Sequence, residues 1–276
     1  MTHEKRRKEE DGGAVKVLVQ LLTRNDCYRA GRTITPKGVM VHSTGANNPN
    51  LCRYVPGNDV IGRNTGGNHW DMPGVGACVH AFVGKLADGS VGAVQALPWN
   101  WRGWHCGSGS KGSANNTHIS FEICEDGLTD KAYFQQVYQG AVELTAQLCR
   151  TYGLNPTQDG VVICHCEGHE RGVASNHGDV MHWFPRFGKT MDTFRADVAR
   201  AMEGGEDLTE EQVRTIVRDE VAKLQAQQAA QPVSDWAKEL LAEAVAQGIT
   251  DGKRPQAPAT RQEVALMVQA GLKSKQ

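Results

Sequence analysis

The sequence has no apolar run approaching the roughly 20 residues that would span a bilayer, so no membrane partner is expected. Its first stretch, Met1 to Gly13, alternates basic and acidic residues. It lacks the apolar core of about 7 to 15 residues that an export signal requires. Synthesis in the cytoplasm without a signal peptide is therefore the expectation. An excess of one charge is missing too: the formal net charge is −1, whereas a nucleic-acid binder needs a basic face to neutralise phosphates. No nucleic-acid partner is expected. The compartment argument also disfavours disulfides, so the eight cysteines are read as free thiols.

What is present falls into two textures. Glycine, tryptophan and histidine concentrate early, and the C-terminal part is rich in Ala, Gln, Glu and Val. Such a shift reads as a domain boundary, and the expected division is 14–203, a helical linker over 204–231, and a small module over 232–276. In the first part Val39 to His42, Val79 to Val83, Val91 to Leu97, His118 to Cys124 and Val161 to Cys164 read as strands. Ala87-Asp88-Gly89-Ser90 supplies a hairpin turn between the second and third. Asp130 to Tyr152 carries apolar residues at amphipathic-helix spacing and stops at Gly153. Strands alternating with helices and loops predict an α/β fold, a central mixed sheet flanked by helices, with active residues at strand ends. Gly45 to Gly76, rich in Gly, Asn and Pro, reads as long loops that rim a binding site.

Metal-type ligands occur in three places: His42 in Val-His-Ser-Thr-Gly, His165 in Ile-Cys-His-Cys-Glu-Gly-His, and the cluster His177-Gly178-Asp179. A catalytic zinc takes three protein ligands and keeps one position open for water. It then needs a carboxylate to move the proton, and Glu122 in Ile-Ser-Phe-Glu-Ile is the natural choice. Cys164 and Cys166 flank His165, and on a strand they would face away from it, which makes them core or covering thiols. His105, His169 and His182 are either cleft-lining or hydrogen-bonded loop residues. Trp99, Trp101 and Trp104 stack on substrate or anchor a glycine-rich loop, and Trp183 with Phe184 reads as packing under the site. A Cys/His nucleophile using Cys106 or Cys124 is the main enzymatic rival, but neither cysteine sits at an evident helix N-terminus.

The order of these motifs from about Lys37 to Met202 resembles the type 2 N-acetylmuramoyl-L-alanine amidase family of phage endolysins, wall-recycling amidases and peptidoglycan recognition proteins. The resemblance implies zinc held by His42, His165 and a downstream acid, here Asp179, with Glu122 as proton shuttle and bacterial peptidoglycan as substrate. Many members carry a lysine where this chain has His177. An imidazolium can serve a developing oxyanion as that lysine does, although its charge is lost near neutral pH. The longer spacing from His165 to Asp179 implies an insertion at Glu167 to Ser175. The alternative, His177 as ligand with Asp179 orienting it, stays open. The implied reaction is hydrolysis of the amide between N-acetylmuramic acid and L-alanine by a phage or prophage endolysin, acting on the wall after release. A non-catalytic peptidoglycan-binding protein is the alternative of another class.

In the C-terminal part Thr209 with Gln212 forms a capping box, and Val213, Ile216, Val217, Val221 and Leu224 make a narrow apolar stripe: a short coiled coil or a helix on the main domain. Pro232 to Leu272 reads as two helices around a turn, with Ser234, Gly248 and the Thr260–Glu263 box as end signals. Ser234-Asp235-Trp236, Gly248-Ile249-Thr250-Asp251 and Thr260-Arg261 resemble one S-layer-homology repeat. That implies attachment to cell-wall polysaccharide. The competing reading is a two-helix unit that docks or makes a homo-oligomer through these helices, restoring several repeats per particle.

Overall fold

The computed structural model describes residues 15–204 and 210–273. The chain divides into two compact units, Met1–Gly205 and Glu206–Gln276. In chain order the first unit holds β1 (Val17–Val19), α1 (Asp26–Ala30), β2 (Gly38–Ser43), a two-stranded ribbon of β3 (Gly57–Asn58) and β4 (Gly62–Arg63), β5 (Ala81–Lys85), β6 (Val91–Gln95), β7 (His118–Ile123), α2 (Lys131–Tyr152), β8 (Val162–Cys164), α3 (His165–Glu170) and α4 (Met191–Gly204). The second holds α5 (Glu210–Ala229), α6 (Lys238–Ala246) and α7 (Arg261–Lys273).

Six strands form one mixed sheet in the order β1-β6-β5-β7-β2-β8. β7, β2 and β8 run parallel to one another, and β6 is antiparallel to β5 across the expected hairpin. Gly89 takes φ 84 in that turn, a left-handed conformation that glycine adopts without strain.

Strand alternation sorts the side chains onto two faces. Val39, Val41, Ile119, Phe121 and Ile123 point to one face, where they meet Phe134, Val137, Ala141, Leu144 and Leu148 of α2 and Phe194 and Val198 of α4. Burial of each large apolar side chain there stabilises the fold by about 1.5–3 kcal/mol. α2 starts where the Asp130 carboxylate accepts from the amides of Ala132 and Tyr133, at 2.9 and 3.1 Å. It ends at Gly153, φ 63. The other face carries Met40, His42 and Glu122. It is covered by α3 packing near Met40 and by loops, with Phe82, Leu51, Tyr54 and Ile61 forming a second core.

One expectation is corrected. The chain leaves the strand at Cys164, and His165 is the first residue of α3. The two-face argument for Cys164 and Cys166 therefore fails: the turn brings their sulfurs to 3.2 Å. Cys164 is buried core all the same, and Cys166 is half-buried.

In the second unit the Thr260 box is realised, with Glu263 N donating to Thr260 Oγ1 at 3.1 Å and Thr260 N to Glu263 Oε2 at 2.8 Å. Gly248 takes φ 71 beyond α6. Ser234 makes no side-chain cap. Its hydroxyl accepts from Gln256 instead. Met1 to Gly13 and the box expected at Thr209 lie outside the described residues, as do the side chains of Val213 and Ile216. Among the described residues no helix is long and apolar enough to cross a membrane.

Candidate functional site

The parallel pairing of β2 with β7 sets His42 directly opposite Glu122, so one register carries both onto the loop-covered face. Gly38, at the start of β2, allows this close pairing. A Cβ there would lie 2.3 Å from the Val161 carbonyl oxygen and 2.6 Å from His118 Nε2. β8 adjoins β2 on the other side and delivers His165 one residue past its end.

Asp179 comes from the segment after α3, and its Oδ2 lies 3.0 Å from His42 Nδ1 and 3.5 Å from His165 Nδ1. One ligand atom from each of the three lies within 4.8 Å of the others, a set that could hold a metal ion. Two imidazoles and a carboxylate match the borderline-soft donor set that zinc takes in catalytic sites. The histidines are 1% and 4% exposed. Burial pushes the His42 imidazole below its ordinary value, offset in part by Asp179. Burial alone would raise the Asp179 carboxyl, but the two imidazoles beside it hold it well below the usual carboxylate range.

Glu122 Oε2 is buried with no hydrogen-bond partner. Burial, then the nearby charges of Asp179 and Glu125, push its carboxyl well above the ordinary value. A carboxyl held ready to take and release a proton needs such tuning. His177 is exposed. Its ring lies 4.5 Å from that of His165, and its Nδ1 lies 3.2 Å from Ser175 Oγ, which is itself 3.3 Å from His165 Nε2.

These residues line a cleft of about 470 Å³ with Thr44, Trp70, Trp104, His105 and Ser175. Larger cavities lie between α2 and α4 and on the second unit, away from this chemistry. Of the remaining sequence candidates, His105 contacts His42, with 3.0 Å between His105 Nδ1 and His42 Nε2. His182 Nε2 lies 2.8 Å from Glu125 Oε1, and His169 Nδ1 lies 3.4 Å from the Ala174 carbonyl oxygen. Trp104 is 43% exposed at the cleft, Trp101 packs on Tyr28, Trp99 joins the core, and Trp183 and Phe184 are fully buried.

Glu125 was not singled out by sequence reasoning. It is 3% exposed and accepts from Gly45 N at 3.1 Å as well as facing His182. It ties the rim after β2 to the segment that carries Asp179. An acid three residues beyond Glu122 was its only sequence signal. Cys106 and Cys124 are buried, and burial pushes both thiols up. Cys106 Sγ bonds to Gly107 O, Val173 O and Ser113 Oγ, none of them a base. A protonated, buried thiol does not make a nucleophile.

The family described as N-acetylmuramoyl-L-alanine amidase matches residues 32–183. Among solved structures the chain is similar to the Staphylococcus aureus hydrolase AmiA in complex with its ligand, at 20% identity and TM-score 0.50, over 69% of this chain and 84% of that one. This is a likeness of fold. A mutant endolysin from Bacillus subtilis is similar at 21% identity and TM-score 0.47, over 67% of this chain and 99% of that one. No curated protein matches the chain.

Proposed function

This chain belongs to the N-acetylmuramoyl-L-alanine amidase family, and from that premise we propose a zinc-dependent cleavage of peptidoglycan in which 14–203 is the catalytic domain. His42, His165 and Asp179 would hold the ion. The meeting of these three side chains from β2, α3 and a distant loop is the observation that carries the reading. A zinc ion held by these residues would polarise the scissile carbonyl and lower the pKa of a water toward about 7.

Glu122 accepts the proton of the attacking water at its unpartnered Oε2 and passes it to the departing nitrogen of L-alanine. His177, exposed beside His165, donates to the oxygen on which charge develops. Trp104 offers its exposed face to the substrate.

Metal content of the purified protein and mass spectrometry of digested walls test this. One zinc per chain and stem peptides with a free L-alanine amine are expected. Glu122→Gln is expected to keep zinc and lose about 10²–10⁴-fold in cleavage. Undiminished cleavage removes Glu122 from the mechanism.

The role we infer is that of a phage or prophage endolysin, with 204–231 as linker and 232–276 as a wall-attachment module resembling an S-layer-homology repeat. In α6 and α7 no residue is buried, and Leu240, Leu266, Val268 and Leu272 are 58–66% exposed. On α5, Val217 and Leu224 are 56% and 63% exposed. Apolar surface of this kind supports self-association through the C-terminal helices, which would multiply a weak polysaccharide contact. The full chain is expected to sediment as an oligomer at micromolar concentration, and a monomer there removes the self-association.

A further inference from the structure

His42 uses both ring nitrogens. Nδ1 faces Asp179 Oδ2 at 3.0 Å, and Nε2 faces His105 Nδ1 at 3.0 Å. The two rings stand edge to face, 5.1 Å between centroids and 72° between planes. A neutral imidazole that lends Nδ1 to a metal carries its single proton on Nε2, and that N–H is aimed at His105.

The loop bearing His105 is fixed to receive it. Asn115, fully buried, accepts from the amides of His105 and Cys106 at 2.7 and 3.2 Å. Its Nδ2 donates to Gly107 O at 2.9 Å. At Gly103 a Cβ would lie 2.7 Å from the Cys78 carbonyl oxygen, so this strand-like run is held against its neighbour.

We propose that His105 is a positioning residue for the metal ligand His42: its Nδ1 accepts the His42 Nε2–H and so holds that ring in the tautomer and orientation that present Nδ1 to the ion. The proton of His105 is then on Nε2, which is buried and has no partner in the fold, and the cleft lies beside it. Acceptors behind ligating histidines are commonly carboxylates or carbonyls. An imidazole gives the same acceptor without a further negative charge, in a site that already holds Asp179 and Glu122. The inference rests on the reading that His42, His165 and Asp179 bind a metal.

Competition with a chromophoric chelator measures zinc affinity in the wild type, His105→Phe and His105→Asn. Phe keeps the ring and loses the acceptor, whereas Asn restores an acceptor oxygen near the place of Nδ1. The expectation is one zinc in the wild type, about 10–100-fold weaker binding in His105→Phe, and recovery of most of that loss in His105→Asn. Equal affinity in His105→Phe and wild type overturns the role of His105 and leaves the metal site standing. A wild type that binds no zinc overturns the site itself, and His105 with it. Should His105→Phe fail to fold, long-range ¹H–¹⁵N spectra of the zinc-loaded wild type decide. A proton on His42 Nε2 with bare His105 Nδ1 supports the role, and a proton on His105 Nδ1 overturns it.

Discussion

The same strands build two different surfaces. On the face under α2 and α4, Val39, Val41, Ile119, Phe121 and Ile123 meet aromatic and aliphatic side chains with no charge among them. On the opposite face the alternate positions His42 and Glu122 stand in one register. There the acid has a buried oxygen without a partner and a carboxyl pushed up by burial. One face lowers the free energy of the fold, and the other accepts an energetic penalty to hold groups in reactive form. Strand alternation allows both within a few residues, because neighbouring side chains do not compete for the same environment.

Substitutions on the two faces should therefore separate stability from chemistry. Glu122→Gln, the variant with the largest expected loss of cleavage, should leave the unfolding midpoint unchanged or higher, since it removes an acid whose ionisation burial opposes. Phe134→Ala lies on the packed face, where the ring stacks 4.3 Å from Phe187 and is 2% exposed. It is expected to lower unfolding free energy by about 3–5 kcal/mol with zinc stoichiometry retained. Denaturant melts with metal analysis check this, and a variant as stable as wild type but zinc-free would erase the contrast between the faces.

His80 sharpens the comparison on the site-bearing face. It is fully buried between Ser120 and the Trp101 carbonyl, and burial pushes its imidazole down to about 4. The unfolded chain binds a proton near the ordinary value of about 6.5 that the fold refuses, so stability is full above that pH and falls as pH drops toward about 4, by about 3 kcal/mol for this group. His80→Gln is expected to flatten that part of the acid slope in urea melts taken from pH 7 to 4.5. An unchanged slope would mean that His80 does not report on burial of this face.

How much of this was legible beforehand varies by element. α2 was readable from its spacing and from Asp130 and Gly153, whose cap bonds and positive φ lie within the helix's own ends. β2 and β7 were readable from short apolar runs, and so were the histidine and glutamate they carry. His165 follows the apolar run Val161 to Cys164, and with Cys166 beyond it the segment reads as a continuing strand. A local capping box instead starts α3 there, with Glu167 Oε2 accepting from Cys164 N at 3.1 Å. His105 had no periodicity to aim it, since a glycine-rich loop leaves side-chain direction to its anchors.

The sequence alone determined the long elements such as α2, β2 and β7 and the chemical types available for a site, because spacing, caps and turns act between residues a few positions apart. Only the tertiary structure decided which of those side chains meet. His42 and Asp179 lie 137 positions apart, and they converge because the sheet order β7-β2-β8 sets side by side strands that are not consecutive in the chain. Burial between those strands then fixes the protonation and partners of each group, and no local pattern specifies that.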